Sequence, residues 1–436
     1  TQGYSSAASD VYKRQDFNAV YHQASDNYCY PLNEEELIIN IKTGYDVQSV
    51  SIILGDPFAV GILGGGEHWD GTEEAIIYKK RLKNQIWWTT TVRPEYKRLK
   101  YYFKLQTENE SWFYFEDGFV SDEQMHLEGR SRQCFVFPWM NPCDVPRTPA
   151  WVNDTVWYQI FPDRFCRLKI PDAAGMIGDR TVHESWWDSP EWRPDSQGEV
   201  RNRDFFGGSL QGITSKLDEL ASLGVTVLYL NPIFESASNH RYNTADYLAI
   251  DPMLGTEEDF RRLCREAKTR NIRVILDGVF NHTGSQSRYF NADGFYPEPG
   301  AAQSQDSPYF DWFSFHPWPS DYDAWWGIKT LPAVREEEPG YRDFIIRGQD
   351  SVVRHWLRAG ASGWRLDVAD ELPDDFIAEI RAAMEETAAD SFLLGEVWED
   401  AATKVAYSRR RRYLLGRELH SVMNYPFRTA LIVYLL

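Results

Sequence analysis

The sequence predicts a multidomain protein in which an N-terminal antiparallel β-sandwich precedes an α/β barrel of the (β/α)8 type, with a subdomain inserted after the third barrel strand. Three observations carry that prediction: short β-rich runs separated by turn residues up to about residue 137, a proline-marked stretch after them, and from Trp151 a repeated alternation of apolar strands with amphipathic helices.

Residues 1–15 are polar, rich in Ser and Ala and lack an initiator Met or an apolar signal segment, so they are expected to be disordered or non-native. Residues 16–137 hold six β-rich runs: Glu36 to Ile41, Val47 to Leu54, Ala75 to Lys80, Ile86 to Val92, Lys97 to Leu105 and Trp112 to Phe115. Their spacing and the Gly, Asp and Asn between them fit a sandwich. Pro138, Pro142, Pro146 and Pro149 mark residues 138–150 as a linker.

The barrel is expected over 151–436. Its strand candidates are Val156 to Phe161, Val225 to Leu230, Val274 to Asp277, Gly363 to Leu366, Phe392 to Leu394 and Ser421 to Asn424. Helices are expected at Leu210 to Leu223, at Glu257 to Arg270 behind a Thr256 cap, at Tyr341 to Ala359, and at Pro373 to Thr387. Near-continuous apolar strands imply a parallel sheet, and no GxGxxG follows the first of them, which favours a barrel over a doubly wound fold. Six strands are counted, so closure at eight needs two more beyond Leu436, and both ends read as cut. The apolar run from Ala430 reads as the opening of a core helix. One connection, 283–340, is too long for a simple loop. Within it Tyr289 to Trp326 carry thirteen aromatics in 38 positions, expected to pack as a small subdomain, with some rings free to stack on sugar faces.

Composition narrows the function. With 46 Lys+Arg against 65 Asp+Glu the formal charge is −19, which repels phosphate backbones and anionic lipids and favours a neutral substrate. Five cysteines, odd in number and never C-x-x-C, argue against a disulfide framework or zinc site and point to a reducing cytoplasm. No apolar stretch is long enough to span a membrane.

Reactive residues of a parallel barrel lie where strands end, and here those positions are acidic. The third strand closes on Asp277, the fourth reads Arg365-Leu-Asp367, and the fifth ends at Glu396. Arg365 and Asp367 share one face of their strand, so the guanidinium is expected to keep Asp367 ionised. Glu396 follows 29 residues later, about one βα unit, and is expected on the neighbouring strand without such a partner. Two carboxyls held at different pKa values suit glycoside hydrolysis: Asp367 as nucleophile, Glu396 as acid and then base.

Asp277-Gly-Val-Phe-Asn-His282, Gly363-Trp-Arg-Leu-Asp-Val368 and Leu394-Gly-Glu-Val-Trp398 resemble, in this order, three of the four signature regions of glycoside hydrolase family 13, the α-amylase family. Trp157 to Phe165, Asn231 to Phe234, Ser238 to Tyr247 and Val422 to Phe427 are similar to its neopullulanase, cyclomaltodextrinase and maltogenic amylase branch. Tyr21-His22, Gly55-Asp56-Pro57 and Gly118-Phe119 resemble the starch-binding N-domain of that branch, carbohydrate-binding module family 34.

The resemblance implies Asp367 as nucleophile, Glu396 as acid/base and Arg365 as the arginine paired with the nucleophile. It further implies Asp277, His282, Tyr242, His240 and Trp398 as substrate-binding residues. It implies a retaining cleavage of α-1,4-glucosidic bonds in cyclodextrins, maltooligosaccharides, starch or pullulan, and a homodimer formed through the N-domain. The family's fourth region, which supplies a third carboxylate, has no counterpart before Leu436. That departure leaves a non-catalytic glucan-binding protein open beside the hydrolase, and a transglycosylase is the third alternative. No cofactor is required on this reading. Calcium is disfavoured because Cys166-Arg-Leu-Lys-Ile-Pro-Asp172 puts two cations where calcium-binding members carry Asn, Gly and Asp, although Asn281 remains. The run Arg409 to Arg412 is expected to be a solvated loop rather than an anion site.

Overall fold

The computed structural model describes residues 16–59, 69, 71–127, 133–145, 147–402 and 404–436, and the chain divides into two compact units, Thr1–Pro146 and Arg147–Leu436. Residues 1–15 lie outside the described set.

In the first unit, strands β1 (Cys29–Pro31), β2 (Leu37–Thr43), β3 (Ser49–Gly55), β4 (Thr72–Ala75), β5 (Tyr78–Arg81), β6 (Ile86–Val92), β7 (Leu99–Gln106), β8 (Ser111–Phe115), β9 (Gly118–Ser121) and β10 (Phe135–Phe137) form two antiparallel sheets. Their orders are β1-β2-β6-β5 and β4-β3-β7-β8-β9, with β10 added to β7. Every second residue of β7 is buried, the signature of a strand with one face inward. Ile39, Ile41 and Trp88 from one sheet share a core with Ile52, Tyr101 and Phe103 from the other. His22 is locked in that core between Asn40 O (2.7 Å) and Tyr101 Oη (2.8 Å), and burial drives its pKa down to about 4.

The run Ala75 to Lys80, expected as one strand, is two. β4 pairs with β3 and β5 with β6, so the chain changes sheets here. Ile76 turns inward at the crossing, and its N–H donates to Val50 O at 2.9 Å, which continues the pairing with β3 before the chain passes to β5. Strands β1, β9 and β10 were not read from sequence, because three or four residues are too few to show a period. Met140, within the expected linker, is buried in this unit's core.

In the second unit, β11 (Trp157–Ile160), β12 (Val227–Leu230), β13 (Arg273–Gly278), β14 (Gly363–Leu366), β15 (Phe392–Gly395) and β16 (Ser421–Val422) form one parallel sheet in chain order. The helices that accompany them are α1 (Leu210–Ser215), α2 (Leu217–Ser222), α3 (Glu257–Lys268), α4 (Val352–Ala359), α5 (Asp374–Thr387) and α6 (Tyr425–Leu435). Side-chain alternation divides the sheet: Leu228, Val274, Leu276, Trp364 and Leu393 pack in one core with Phe260, Leu263, Trp356, Phe376 and Ile380 of the helices. Val227, Tyr229, Ile275, Phe392 and Leu394 form a smaller cluster on the opposite face. By the same parity Asp277 and Arg365 point to that second face.

Thr256 caps α3 as expected, in a full capping box with Asp259. Two expected helices are interrupted. Leu210 to Leu223 breaks at Lys216, after Thr214 Oγ1 and Ser215 Oγ donate to the carbonyls of Leu210 and Gly212. Tyr341 to Ala359 becomes a short turn at Pro339–Arg342, a wide π-type turn at Asp343–Arg347 and then α4. Gly348 leaves helical geometry, and Ser351 Oγ satisfies the freed Ile346 carbonyl at 2.9 Å. Pro373 stands at the N-cap of α5, one residue outside the helix.

The aromatic segment does not form a core of its own. Tyr289, Phe290, Trp312 and Phe313 are buried in the same cluster as the helix and strand residues, with Tyr289 stacked on Tyr247 at 5.6 Å. Four rings of this size bury more area against an existing core than among themselves. Among the described residues no helix is long and apolar enough to cross a membrane.

Candidate active site

Because β13, β14 and β15 are adjacent, parallel and in register, with Asp277 opposite Arg365 and Arg365 opposite Leu394, their C-terminal ends deliver three carboxylates to one guanidinium. Arg365 Nη1 donates to Asp277 Oδ1 at 2.8 Å and to Asp367 Oδ1 at 2.6 Å, and Nη2 meets Glu396 Oε2 at 2.8 Å. This corrects the expectation that the arginine sits beside Asp367 alone. One positive charge serves three acids, all nearly buried, so their titrations are linked.

The expected split of pKa values is also reversed. Burial, with the charges of Asp277 and Glu396, outweighs Arg365 and pushes Asp367 up to about 7. Burial raises Asp277 as well, against Arg365 and two tyrosine hydroxyls. Glu396 is held below its ordinary value: burial opposes its charge, yet Arg365, the Val368 N–H at 3.0 Å, the Trp398 indole and the Tyr425 hydroxyl at 3.1 Å together favour it.

Asp367 and Glu396 line a cavity of about 930 Å³ together with Arg365, Val368, Tyr242, His240, His282 and Trp398. Asp277 lies beneath it, 1% exposed, accepting from Tyr229 Oη (2.5 Å) and Tyr242 Oη (3.0 Å). It acts on the cavity through Tyr242 and Arg365. Asn231 Nδ2 donates to the same Tyr242 hydroxyl at 2.8 Å, which fixes the ring.

His282 is buried and His240 half-buried, and both are neutral, each brought down to about 4 by desolvation. His240 Nδ1 accepts from the Tyr242 N–H at 3.1 Å, so its proton sits on Nε2. In His282 the Nε2–H donates to Tyr242 O at 3.1 Å, and Nδ1 is a buried acceptor with no protein partner. Trp325 lies against His282 with ring centres 5.3 Å apart and stacks on Trp326 at 5.0 Å. Trp326 in turn stands edge-on to Trp398. The aromatic segment thus supplies part of the cavity wall as well as core.

Sequence reasoning missed Tyr229, Tyr425 and the Val368 amide, and reached Trp325 only as one of the thirteen aromatics of its segment. Tyr229 carried a signal, since its strand parity places it on the same face as Asp277. The Val368 amide carried none, because it depends on a backbone angle. Val368 has φ 42° and ψ 58°, a left-handed conformation that is rare for a β-branched residue, and this turn aims its N–H at Glu396. Val368→Gly is therefore expected to be more stable than Val368→Ala by about 1 kcal/mol, since only glycine accepts this angle without strain. Thermal unfolding of the two variants checks it; the opposite order contradicts strain at this position.

The arginine run is not a simple solvated loop. Arg411 is buried, bonded to Asp374 Oδ1 (2.8 Å) and to the carbonyls of Asp370 and Leu372, and Arg412 pairs with Glu418. Arg411 holds the loop after β15 to the one after β14, whereas Arg412 pairs within its own loop.

In the loop after Phe165 it is a guanidinium that is bound: Arg167 Nη1 donates to the carbonyls of His183 (2.7 Å) and Phe206 (3.3 Å), and Nη2 to Glu184 O at 2.9 Å. Asn281 Oδ1 is a buried acceptor with no protein partner.

A parallel sheet that presents clustered carboxylates at its strand ends, behind an all-β N-terminal unit, defines a class that comparison with known proteins makes specific. Residues 159–435 match the α-amylase catalytic domain and residues 16–141 the α-amylase N-terminal Ig-like domain. The chain belongs to the α-amylase family. It is 34% identical to a cyclomaltodextrinase of Geobacillus thermopakistaniensis over 94% of its own length and 64% of that protein's, and 33% identical to a maltogenic α-amylase of Bacillus acidopullulyticus over 95% and 65%. Among solved structures it resembles a cyclomaltodextrinase (TM-score 0.78, 30% identity, 96% of this chain and 65% of that one). It also resembles the type III pullulan hydrolase from Thermococcus kodakarensis (TM-score 0.69, 27% identity, 93% and 64%). The chain therefore spans slightly less than two thirds of the length of these relatives.

Proposed function

We propose that this protein is an α-glucan hydrolase that cleaves α-1,4-glucosidic bonds with retention, Asp367 acting as nucleophile and Glu396 as acid and base. The observation that carries this reading is the pair of carboxylates on neighbouring strands bonded to the two ends of one guanidinium. A retaining pair stands about 5 Å apart, whereas an inverting pair needs about 6.5–9.5 Å to admit a water between acid and base. Sharing Arg365 favours the close arrangement. The names of the relatives, cyclomaltodextrinase, maltogenic amylase and amylopullulanase, point to the same class of substrate.

In the first step the Asp367 carboxylate forms a bond to the anomeric carbon while Glu396 gives its proton to the departing glycosidic oxygen. In the second, Glu396 takes a proton from water, and that water's oxygen displaces Asp367 from the sugar. The cycle needs Asp367 ionised and Glu396 protonated. In the free site burial favours the proton on Asp367, and the three carboxyls around Arg365 titrate as one linked set. Tyr242 offers a ring face, and His240 Nε2–H and His282 Nδ1 offer a donor and an acceptor for hydroxyls.

The pH dependence tests this. Removing the Asp277 charge lowers the pKa of Asp367, so Asp367 stays ionised to lower pH. The acidic limb of kcat/KM for β-cyclodextrin is expected to move to lower pH in Asp277→Asn; an unmoved or upward limb excludes Asp367 as the group titrating there. A homodimer formed through the N-domain and a cytoplasmic location belong to the same proposal. Two relatives from Bacillus subtilis carry the name intracellular maltogenic amylase. Equilibrium sedimentation reads the first directly. Product lengths at high maltotriose separate hydrolysis from transfer, since only transfer makes chains longer than the substrate.

A further inference from the structure

We propose that Trp187 and Trp192 form an outer binding surface for an extended α-glucan chain, on a loop that projects from the cavity rim; this rests on the α-glucan reading above. The loop's two ends, Gly178 and Asp179 before it and Glu199 to Arg203 after it, line the catalytic cavity. Between them Trp187 is 90% exposed and Trp192 is 66% exposed. Leaving two indoles in water forgoes the burial available to them elsewhere.

The backbone that carries these rings is held in place. Asp188 Oδ2 accepts from the Ser185 N–H and faces His183 Nδ1, both at 3.3 Å, while the Trp187 N–H donates to Ser185 Oγ at 3.1 Å. Trp186, the preceding residue, turns the other way and packs edge-on to Phe206, with the Arg167 guanidinium 5.7 Å from its ring. One tryptophan anchors the loop and the next is presented. The Glu191 N–H donates at 3.0 Å to the buried Asp204, which Arg164 also binds at 3.1 Å, and Arg193 lies 4.9 Å over Trp192. A loop backbone fixed beforehand loses little freedom when a ligand stacks on the rings it carries.

The occupant follows from the chemistry. Indole faces suit the apolar C–H faces of glucose rings, and the residues between the two tryptophans, Asp188, Ser189 and Glu191, suit its hydroxyls. A second copy of the chain would need a continuous apolar patch, and these indoles are separated by charge. A formal charge of −19 disfavours an anionic ligand. The loop continues from the cavity, so a chain longer than the cavity holds runs onto it.

The test compares the wild-type chain with Trp187→Ala/Trp192→Ala on maltotriose and on amylose, with amylose affinity electrophoresis and sedimentation alongside. The expected result is kcat/KM for amylose lower by about tenfold, unchanged kcat/KM for maltotriose and weaker retardation by amylose. An unchanged amylose-to-maltotriose ratio with unchanged retardation overturns the inference. So does an equal fall on both substrates with a smaller sedimentation coefficient, which would make the loop a subunit contact. Failure of the α-glucan reading is separately visible: the wild-type chain would then release no reducing sugar from either substrate and show no retardation by amylose.

Discussion

Asp367→Asn is expected to lower hydrolysis of β-cyclodextrin and maltoheptaose by about 10⁴-fold without loss of stability. The amide keeps the shape of the carboxylate but cannot form the glycosyl bond. Its effect on folding is the opposite of its effect on activity. Asp367 is pushed up to about 7 in the folded protein, above its ordinary value, so its charge at neutral pH and above opposes folding. Removing that charge relieves repulsion with Asp277 and Glu396, and the melting temperature is expected to hold or rise above pH about 7. Steady-state kinetics and thermal unfolding on one preparation check both halves. Retained hydrolysis excludes Asp367 as nucleophile, and a fall in melting temperature contradicts the crowding of charge described for this site.

Arg365→Leu carries the largest expected cost in stability, about 3–5 kcal/mol. Its guanidinium is the shared partner of Asp277, Asp367 and Glu396, and all three are nearly buried. Without it each carboxyl is more readily protonated in the folded state than in the unfolded one. Such groups favour folding below their unfolded pKa and lose that contribution as pH rises through the folded values, so the deficit is greatest at alkaline pH and narrows toward acid pH. Adding Asp277→Asn removes one unpaired charge, and the double variant is expected to be more stable than Arg365→Leu alone. Urea unfolding at about pH 8 and about pH 5.5 measures each point; a deficit independent of pH would mean that the arginine contributes by packing.

Glu336 illustrates how local a pKa argument must be. Burial raises it to about 8, with Glu337 and Glu371 adding to the effect, yet it does not line the catalytic cavity. A perturbed carboxyl marks a site only when others converge on the same space.

Much of this was legible in the amino-acid order, because the relevant rules are local. Strand ends at Asp277, Asp367 and Glu396 follow from apolar runs that stop at acids, and parity along Arg365-Leu-Asp367 put the arginine and the aspartate on one face. The Thr256 cap, with Asp259 three residues on, needs only the first turn of a helix. Where the reading failed, either a neighbour distant in sequence had decided or a local turn had interrupted a longer helix. Ala75 to Lys80 looks like one strand until two sheets compete for its halves. The helix expected at Tyr341 to Ala359 is interrupted where Gly348 and Ser351 suit a turn, and Tyr289 and Trp312 join the main core because that core was there to receive them.

The sequence by itself determined the order of elements, the family and which side chains stand at the strand ends, since each is written in the spacing of a few consecutive residues. Tertiary structure alone decided how one arginine is divided among three acids, because registry between β13, β14 and β15 brings together residues 88 and 31 positions from Arg365. Electrostatic energy depends on distance and burial, not on order along the chain. For that reason Asp277, Arg365, Asp367 and Glu396 could be placed at strand ends from the sequence, while the ordering of their proton affinities emerged only from the fold.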